Sequence, residues 1–179
     1  MASQPEQPNL SRRRLLRAAA IVPAVAIPTL AVASPAHAGY LGNISRSNVM
    51  TRARDWYDRN IQYSYDYRAR ATDNDGDHEY RRDCSGFVSM AWHSATPGHS
   101  TRDLTAISHP IYWSSLKPGD ALNHYDDHCM LFHKWIEEGV SFKVYHLVDP
   151  DHDMEYDTKY VSSLKDAGYS PLRYDKIFD

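Results

Sequence analysis

The chain begins with two blocks of opposite character. Ser11-Arg12-Arg13-Arg14-Leu15-Leu16-Arg17 is basic, and Ala18 to Ala33 is apolar and free of charge. Beyond Gly39 the rhythm of apolar positions changes. Val49, Met50, Ala53, Trp56, Tyr57 and Ile61 recur at helical spacing, with Arg52, Arg54, Asp55 and Asp58 between them. Ser45 stands where a capping side chain is expected. The pattern predicts an amphipathic first helix with an aromatic core face. Gln62 to Arg82 shows no sustained period and reads as a polar, tyrosine-rich, irregular segment. The run Phe87-Val88-Ser89-Met90-Ala91-Trp92 then predicts a second helix over about Cys84 to Ser94, ended by Pro97-Gly98. Ser100 to Ser115 is expected to be a loop with a short helical turn.

From Leu116 the pattern turns to strands. Lys117-Pro118-Gly119-Asp120 reads as a turn before Ala121-Leu122. His128 to Trp135 alternates as a strand, Glu137-Glu138-Gly139 makes a hairpin turn, and Ser141 to Asp149 is the return strand. Asp149 to Asp157 is expected as an acidic loop. Tyr160-Val161 and Leu172 to Ile177 supply further strand segments. Helices first and a strand meander after them point to an α+β domain.

Composition divides the chain in two. The basic block, the apolar run and Ser34-Pro35-Ala36-His37-Ala38 are the three parts of a secretory signal, with cleavage expected before Gly39. The arginine pair resembles a twin-arginine export signal. The alternative, a membrane anchor, meets an apolar run interrupted by Pro23 and Pro28 and short for a span. Residues 1–38 are therefore expected to leave, and residues 39–179 to form one domain. Of 20 basic and 23 acidic residues, Arg12, Arg13, Arg14, Arg17 and Glu6 precede Gly39. That leaves 16 against 22, a formal charge of −6. Such a balance argues against nucleic acid, whose phosphates need Lys and Arg, and against residence on an anionic membrane surface.

The candidate chemistry centres on Asp83-Cys84-Ser85-Gly86. A cysteine at a helix start meets unpaired N–H groups and the positive end of the helix dipole, which favour the reactive thiolate. A buried, inert cysteine is the plain alternative. A Cys84–Cys129 disulfide is a third, since the domain is expected to be exported and has two cysteines. A nucleophile needs a base and a group to orient it. His128 opens a predicted strand, and His146 lies at the middle of the return strand. Strand alternation puts His128, Met130 and Phe132 on one face and Cys129, Leu131 and His133 on the other. On that pattern a Cys84–His128 pair turns Cys129 away from Cys84.

Three segments in order carry a resemblance. They are Asp83-Cys84-Ser85-Gly86-Phe87-Val88, Leu116-Lys117-Pro118-Gly119-Asp120 and His128-Cys129-Met130-Leu131-Phe132. Together they resemble the NlpC-type papain-like cysteine peptidases of bacterial cell walls. The resemblance implies a papain-like α+β fold, with the nucleophile at a helix start packed on an antiparallel sheet. It implies Cys84 as nucleophile, His128 as base, His146 as orienting residue and Tyr63, in Ile61-Gln62-Tyr63-Ser64, as an oxyanion donor. It also implies a hydrolase of peptide or amide bonds, with peptidoglycan stem peptides as substrate; the signal predicts export to the cell wall or beyond, and a monomer without a cofactor is expected. Tyr65-Asp66-Tyr67 stands where the family has a glycine pair, and Cys129-Met130 where small or β-branched residues follow the histidine. A non-catalytic cell-wall or glycan/peptide-binding module of the same fold is the rival reading.

Other polar clusters offer metal-ligand types. His124 and His128 would share a helix face at i, i+4, but the strand pattern opposes a helix there. Asp149, Asp151, Asp153, Glu155 and Asp157 alternate as in a calcium loop, with Met154 where glycine is needed. Asp73, Asp75 and Asp77 carry Gly76 but have Ala71 in place of the first ligand. Solvated loops are the simpler expectation for both acidic runs.

Overall fold

A computed structural model describes Met1 and residues 39–179. The expected signal segment therefore lies, but for Met1, outside the described residues. A short strand β1 (Ile44–Ser45) leads into helix α1 (Arg46–Asp58), whose first turn is capped by the Ser45 side chain accepting from the Asn48 N–H at 3.2 Å. Val49, Ala53 and Trp56 are buried as the pattern predicts. Arg52 is buried with them, although its charge suggested the wet face. Its guanidinium is satisfied there, donating to Met90 O at 2.9 Å, Asn74 Oδ1 at 2.7 Å and Asp73 Oδ2 at 3.0 Å. A buried charge survives only with such partners.

The segment expected to be irregular contains an antiparallel hairpin, β2 (Arg70–Thr72) and β3 (Glu79–Arg81), with Ala71 opposite Tyr80. Strands of three residues are too short to show a period. Helix α2 (Cys84–Ala91) follows and stops short of the expected Ser94. Every residue of it is buried, so no polar face marks its limits. Asp83 caps it by accepting the Gly86 N–H at 2.6 Å. A Cβ on Gly86 would sit 2.1 Å from the Arg81 carbonyl oxygen, so only glycine lets the helix lie this close to β3.

The remaining chain forms a six-stranded antiparallel sheet. Its strands are β4 (Ser108–Pro110), β5 (Ala121–Asn123), β6 (Cys129–Glu137), β7 (Ser141–Leu147), β8 (Met154–Tyr160) and β9 (Ser170–Tyr174), in spatial order β4-β9-β5-β6-β7-β8. A last strand β10 (Ile177–Phe178) pairs in parallel with β1. Three expectations are corrected. Ser100 to Ser115 contributes β4 between two short 3-10 turns. The acidic loop expected over Asp149 to Asp157 is shorter: Asp149, Asp151 and Asp153 lie in it, while Glu155 and Asp157 belong to β8. Val161 begins helix α3 (Val161–Asp166) instead of extending a strand.

The sheet separates two apolar layers. Cys129, Leu131, Tyr145 and Leu147 pack with α1 and α2, while Met130, Phe132, Phe142 and Val144 pack with Leu164 of α3 on the other side. Asp120, fully buried, ties the pieces together. It accepts from the Lys117 N–H at 2.8 Å, Arg46 at 2.9 Å and Arg173 at 2.7 Å. The adjacent Gly119 carbonyl accepts from Trp92 Nε1 at 2.8 Å, which anchors the far end of α2. The described residues are thus α+β, with three α-helices and a six-stranded antiparallel sheet. Among the described residues no helix is long and apolar enough to cross a membrane.

Candidate active site

Arg81 and Asp83 build the platform for Cys84. Arg81 Nε donates to Asp83 Oδ2 at 2.7 Å, and its two other nitrogens hold the Gly98 and His99 carbonyls at 2.6 and 2.9 Å. Asp83 Oδ1 takes both the Gly86 N–H and the Ser85 hydroxyl. Asp83 and Ser85 are therefore spent on the helix start. Cys84 occupies the first helical position, where the helix supplies no partner for its own N–H.

The thiol meets two partners. His128 acts on its charge state, and so does Cys129, through its thiol and its backbone N–H. The hydrogen bonds from Cys129 and His128, with the charge of His128, hold the Cys84 pKa well below its ordinary 9.0 in spite of burial. Cys129 moves the other way. Burial and the negative charge of Cys84 push its thiol well above 9.0, so it stays protonated and donates.

This corrects the expectation that Cys129 points away from Cys84. The strand begins at Cys129, not at His128. Residues 124–128 form a turn, with the His124 N–H donating to the His128 carbonyl at 2.8 Å and the Asp127 N–H to the His124 carbonyl at 3.3 Å. His128 is thus outside the alternation, and its side chain and that of Cys129 both reach the thiol. The same turn denies His124 and His128 a shared helix face. Both cysteines are buried free thiols.

Behind His128 runs a relay. His128 Nε2 lies 2.9 Å from His146 Nδ1, and His146 Nε2 lies 3.3 Å from Asp157 Oδ2, which also accepts from Lys159 Nζ at 2.9 Å. Burial, then the charges of His128 and Lys159, push the His146 pKa down to about 4, against an opposing pull from Asp157. His146 is therefore neutral at ordinary pH. A carboxylate can only accept, so Nε2–H of His146 donates to Asp157 and Nδ1 accepts from Nε2–H of His128. That fixes the tautomers and leaves His128 Nδ1 for the thiol.

Two connected cavities meet at Cys84. One, of about 490 Å³, is lined by His128, His146, Tyr65 and Tyr169 among others. The second, of about 310 Å³, runs past Arg81, Ser100 and Asp103. Tyr63, Cys84 and Asp127 border both. The Tyr63 backbone is fixed by its N–H to Asp153 Oδ1 at 2.8 Å. Burial, then the nearby Cys84 and Asp83, push its phenol up, so it remains a donor.

Neither a protein-family model nor a curated protein matches the chain. All four expected site residues, Cys84, His128, His146 and Tyr63, border one cavity. Sequence reading missed Asp157 and Lys159, which it left in a loop and unassigned. Recognising β8 would have supplied Asp157, since β8 pairs with β7 and sets Glu155 opposite His146. It also missed the donor role of Cys129, because the strand start was placed one residue early.

Proposed function

We propose that this chain is an exported cysteine hydrolase of the NlpC-type papain-like kind, acting on peptide or amide bonds, with peptidoglycan stem peptides as its substrate class. The observation that carries the proposal is a helix-start Cys84 that shares the lining of one cavity with the hydrogen-bonded pair His128–His146. A helix-start cysteine packed on an antiparallel sheet is also the arrangement the sequence resemblance implies. The cavities carry Asp83, Asp103, Asp127 and Asp149 against Arg81 and Lys159, a balance that suits a substrate bearing amino groups.

The chemistry is acyl transfer. The thiolate of Cys84 attacks the amide carbonyl carbon, and the carbonyl oxygen takes the negative charge. The Cys84 N–H and the Tyr63 hydroxyl stand ready to donate to that oxygen. The tetrahedral species collapses, the C–N bond breaks, and His128 gives its Nδ1 proton to the departing amine. His128 then takes a proton from water, whose oxygen attacks the thioester and releases the carboxylic acid with the thiolate restored. His146 touches none of the reacting atoms; it positions His128. No cofactor enters these steps, and a monomer suffices for them.

The test is digestion of purified peptidoglycan, with released fragments identified by mass. The wild-type domain is expected to release soluble peptides, and a folded Cys84→Ala variant none. Equal release by the variant would remove Cys84 from the chemistry. Binding without turnover by both proteins would favour the non-catalytic module instead.

A further inference from the structure

The C-terminal end of α2 carries a second cluster of titratable groups, far from the thiol. Asp73, His78 and His93 bring one ligand atom each to within 4.8 Å of one another. His93 is 5% exposed and Asp73 2% exposed. Five buried side-chain polar atoms lack a hydrogen-bond partner among the described residues, and two of them belong to this cluster: His93 Nε2, and His78 Nδ1, whose nearest contact is Asp73 Oδ2 at 3.4 Å. Orphan nitrogens are rare in native interiors and call for an explanation. We propose that Asp73, His78 and His93 form a zinc site, unrelated to the hydrolytic centre, with His93 Nε2, His78 Nδ1 and an Asp73 carboxylate oxygen as ligands.

The donor set suits zinc, which takes imidazole nitrogen and carboxylate oxygen in tetrahedral sites. Three protein ligands leave one position for water. Two of the ligands are held in the required protonation state. Burial, then the charge of Arg52, lower the His93 pKa, so its ring is neutral and has a lone pair to give. The Arg52 hydrogen bond and charge outweigh burial at Asp73 and hold its carboxyl ionised. The Arg52 charge is offset in turn by Asp75, 3.3 Å from Nη1. Two carboxylates against one guanidinium leave a net negative charge to receive a dication.

The surroundings already fix the ligands. The Tyr40 ring stacks on His78 at 3.8 Å and sits 5.4 Å from His93, while its hydroxyl accepts the Thr96 N–H at 2.9 Å. Asp73 Oδ1 accepts the Asp77 N–H at 3.2 Å, which closes the β2–β3 loop. With bonds of about 2 Å, tetrahedral ligands lie roughly 3.3 Å apart, so closure needs a shift of the order of 1 Å. The carbonyl end of a helix also favours a cation. A metal here would tie three pieces of chain together, namely the lead-in at Tyr40, the β2–β3 loop and the end of α2.

The experiment is titration of the chelator-stripped domain with Zn²⁺, followed by calorimetry and thermal unfolding, and with Co²⁺, followed by visible absorption. Wild type is expected to bind Zn²⁺ at micromolar concentration, to gain about 5 °C in unfolding temperature with Zn²⁺ in hundredfold excess over its Kd, and to show tetrahedral Co²⁺ bands. His93→Gln and the half-buried His78→Ala should lose these responses by at least tenfold in affinity. Asp157→Asn should keep them, which excludes the other acidic cluster around His146. If His93→Gln does not fold, His78→Ala decides. No uptake by wild type, uptake unchanged in the folded histidine variants, or loss only in Asp157→Asn would each overturn the site. None of these outcomes depends on peptidoglycan turnover, so the two proposals stand or fall separately.

Discussion

The two ends of α2 are built in opposite ways. At its N-terminal end Cys84 is surrounded by donors, from Cys129 and His128, and a dipole that favours negative charge. At its C-terminal end His93 presents a neutral nitrogen with no hydrogen-bond partner among the described residues, beside an ionised Asp73 and where the dipole favours positive charge. One helix thus arranges an anion at one end and a place for a cation at the other. The first end is saturated with partners and therefore ready to react. The second is short of one partner. An incomplete hydrogen-bond inventory can therefore say as much about chemistry as a complete one.

The largest effect should come from the thiol end. Cys84→Ala and His128→Ala are each expected to lower hydrolysis by at least about 10³-fold, with unfolding temperatures within a few degrees of wild type. Full turnover in folded His128→Ala would break the pairing on which that end depends.

Next comes the seat of the helix itself. Gly86→Ala sets a Cβ against the Arg81 carbonyl and should cost about 3 kcal/mol in denaturant unfolding. A neutral result would mean that α2 can slide from β3 without cost.

A comparable effect has a pH signature. His146 takes up its proton near pH 6.5 when unfolded, but only near pH 4 in the fold. Its contribution is therefore complete above pH 6.5 and is lost as pH falls from 6.5 to 4. The loss is roughly 3 kcal/mol. His146→Asn should flatten the stability profile in that window. An unchanged slope in the variant would mean that other groups set it.

The smallest effect separates the two thiols. Cys129→Ala removes a donor to the thiolate, so the Cys84 pKa should rise. Alkylation of Cys84 near pH 6 should then slow by about tenfold, with its high-pH plateau unchanged. No shift in the profile would mean that the Cys129 thiol plays no part in activating Cys84.

What the sequence made legible followed from length and period. The face of α1, the β6–β7 hairpin and the helix start at Cys84 each have a long enough pattern or a distinct cap. The β2–β3 hairpin did not, because its strands are three residues long. The buried face of Arg52 was hidden because its partners, Asn74, Asp73 and the Met90 carbonyl, come from two other segments. Cys84, His128 and His146 could be named from residue type, position and resemblance. Their geometry could not, because it turns on a one-residue difference in where β6 begins. The same limit applies at His93, where only tertiary packing gathers Asp73, His78 and Tyr40.

Activation of the Cys84 thiol is read from the pH dependence of its alkylation with iodoacetamide. Peptide-level mass measurement makes Cys129 an internal reference. An ordinary thiol with a pKa near 8.5 loses about tenfold in rate for each pH unit below it. The account predicts that Cys84 labels near its plateau rate at about pH 6.5 while Cys129 stays unlabelled. A Cys84 rate that falls tenfold per unit through that range, or labelling of both thiols alike, would contradict it.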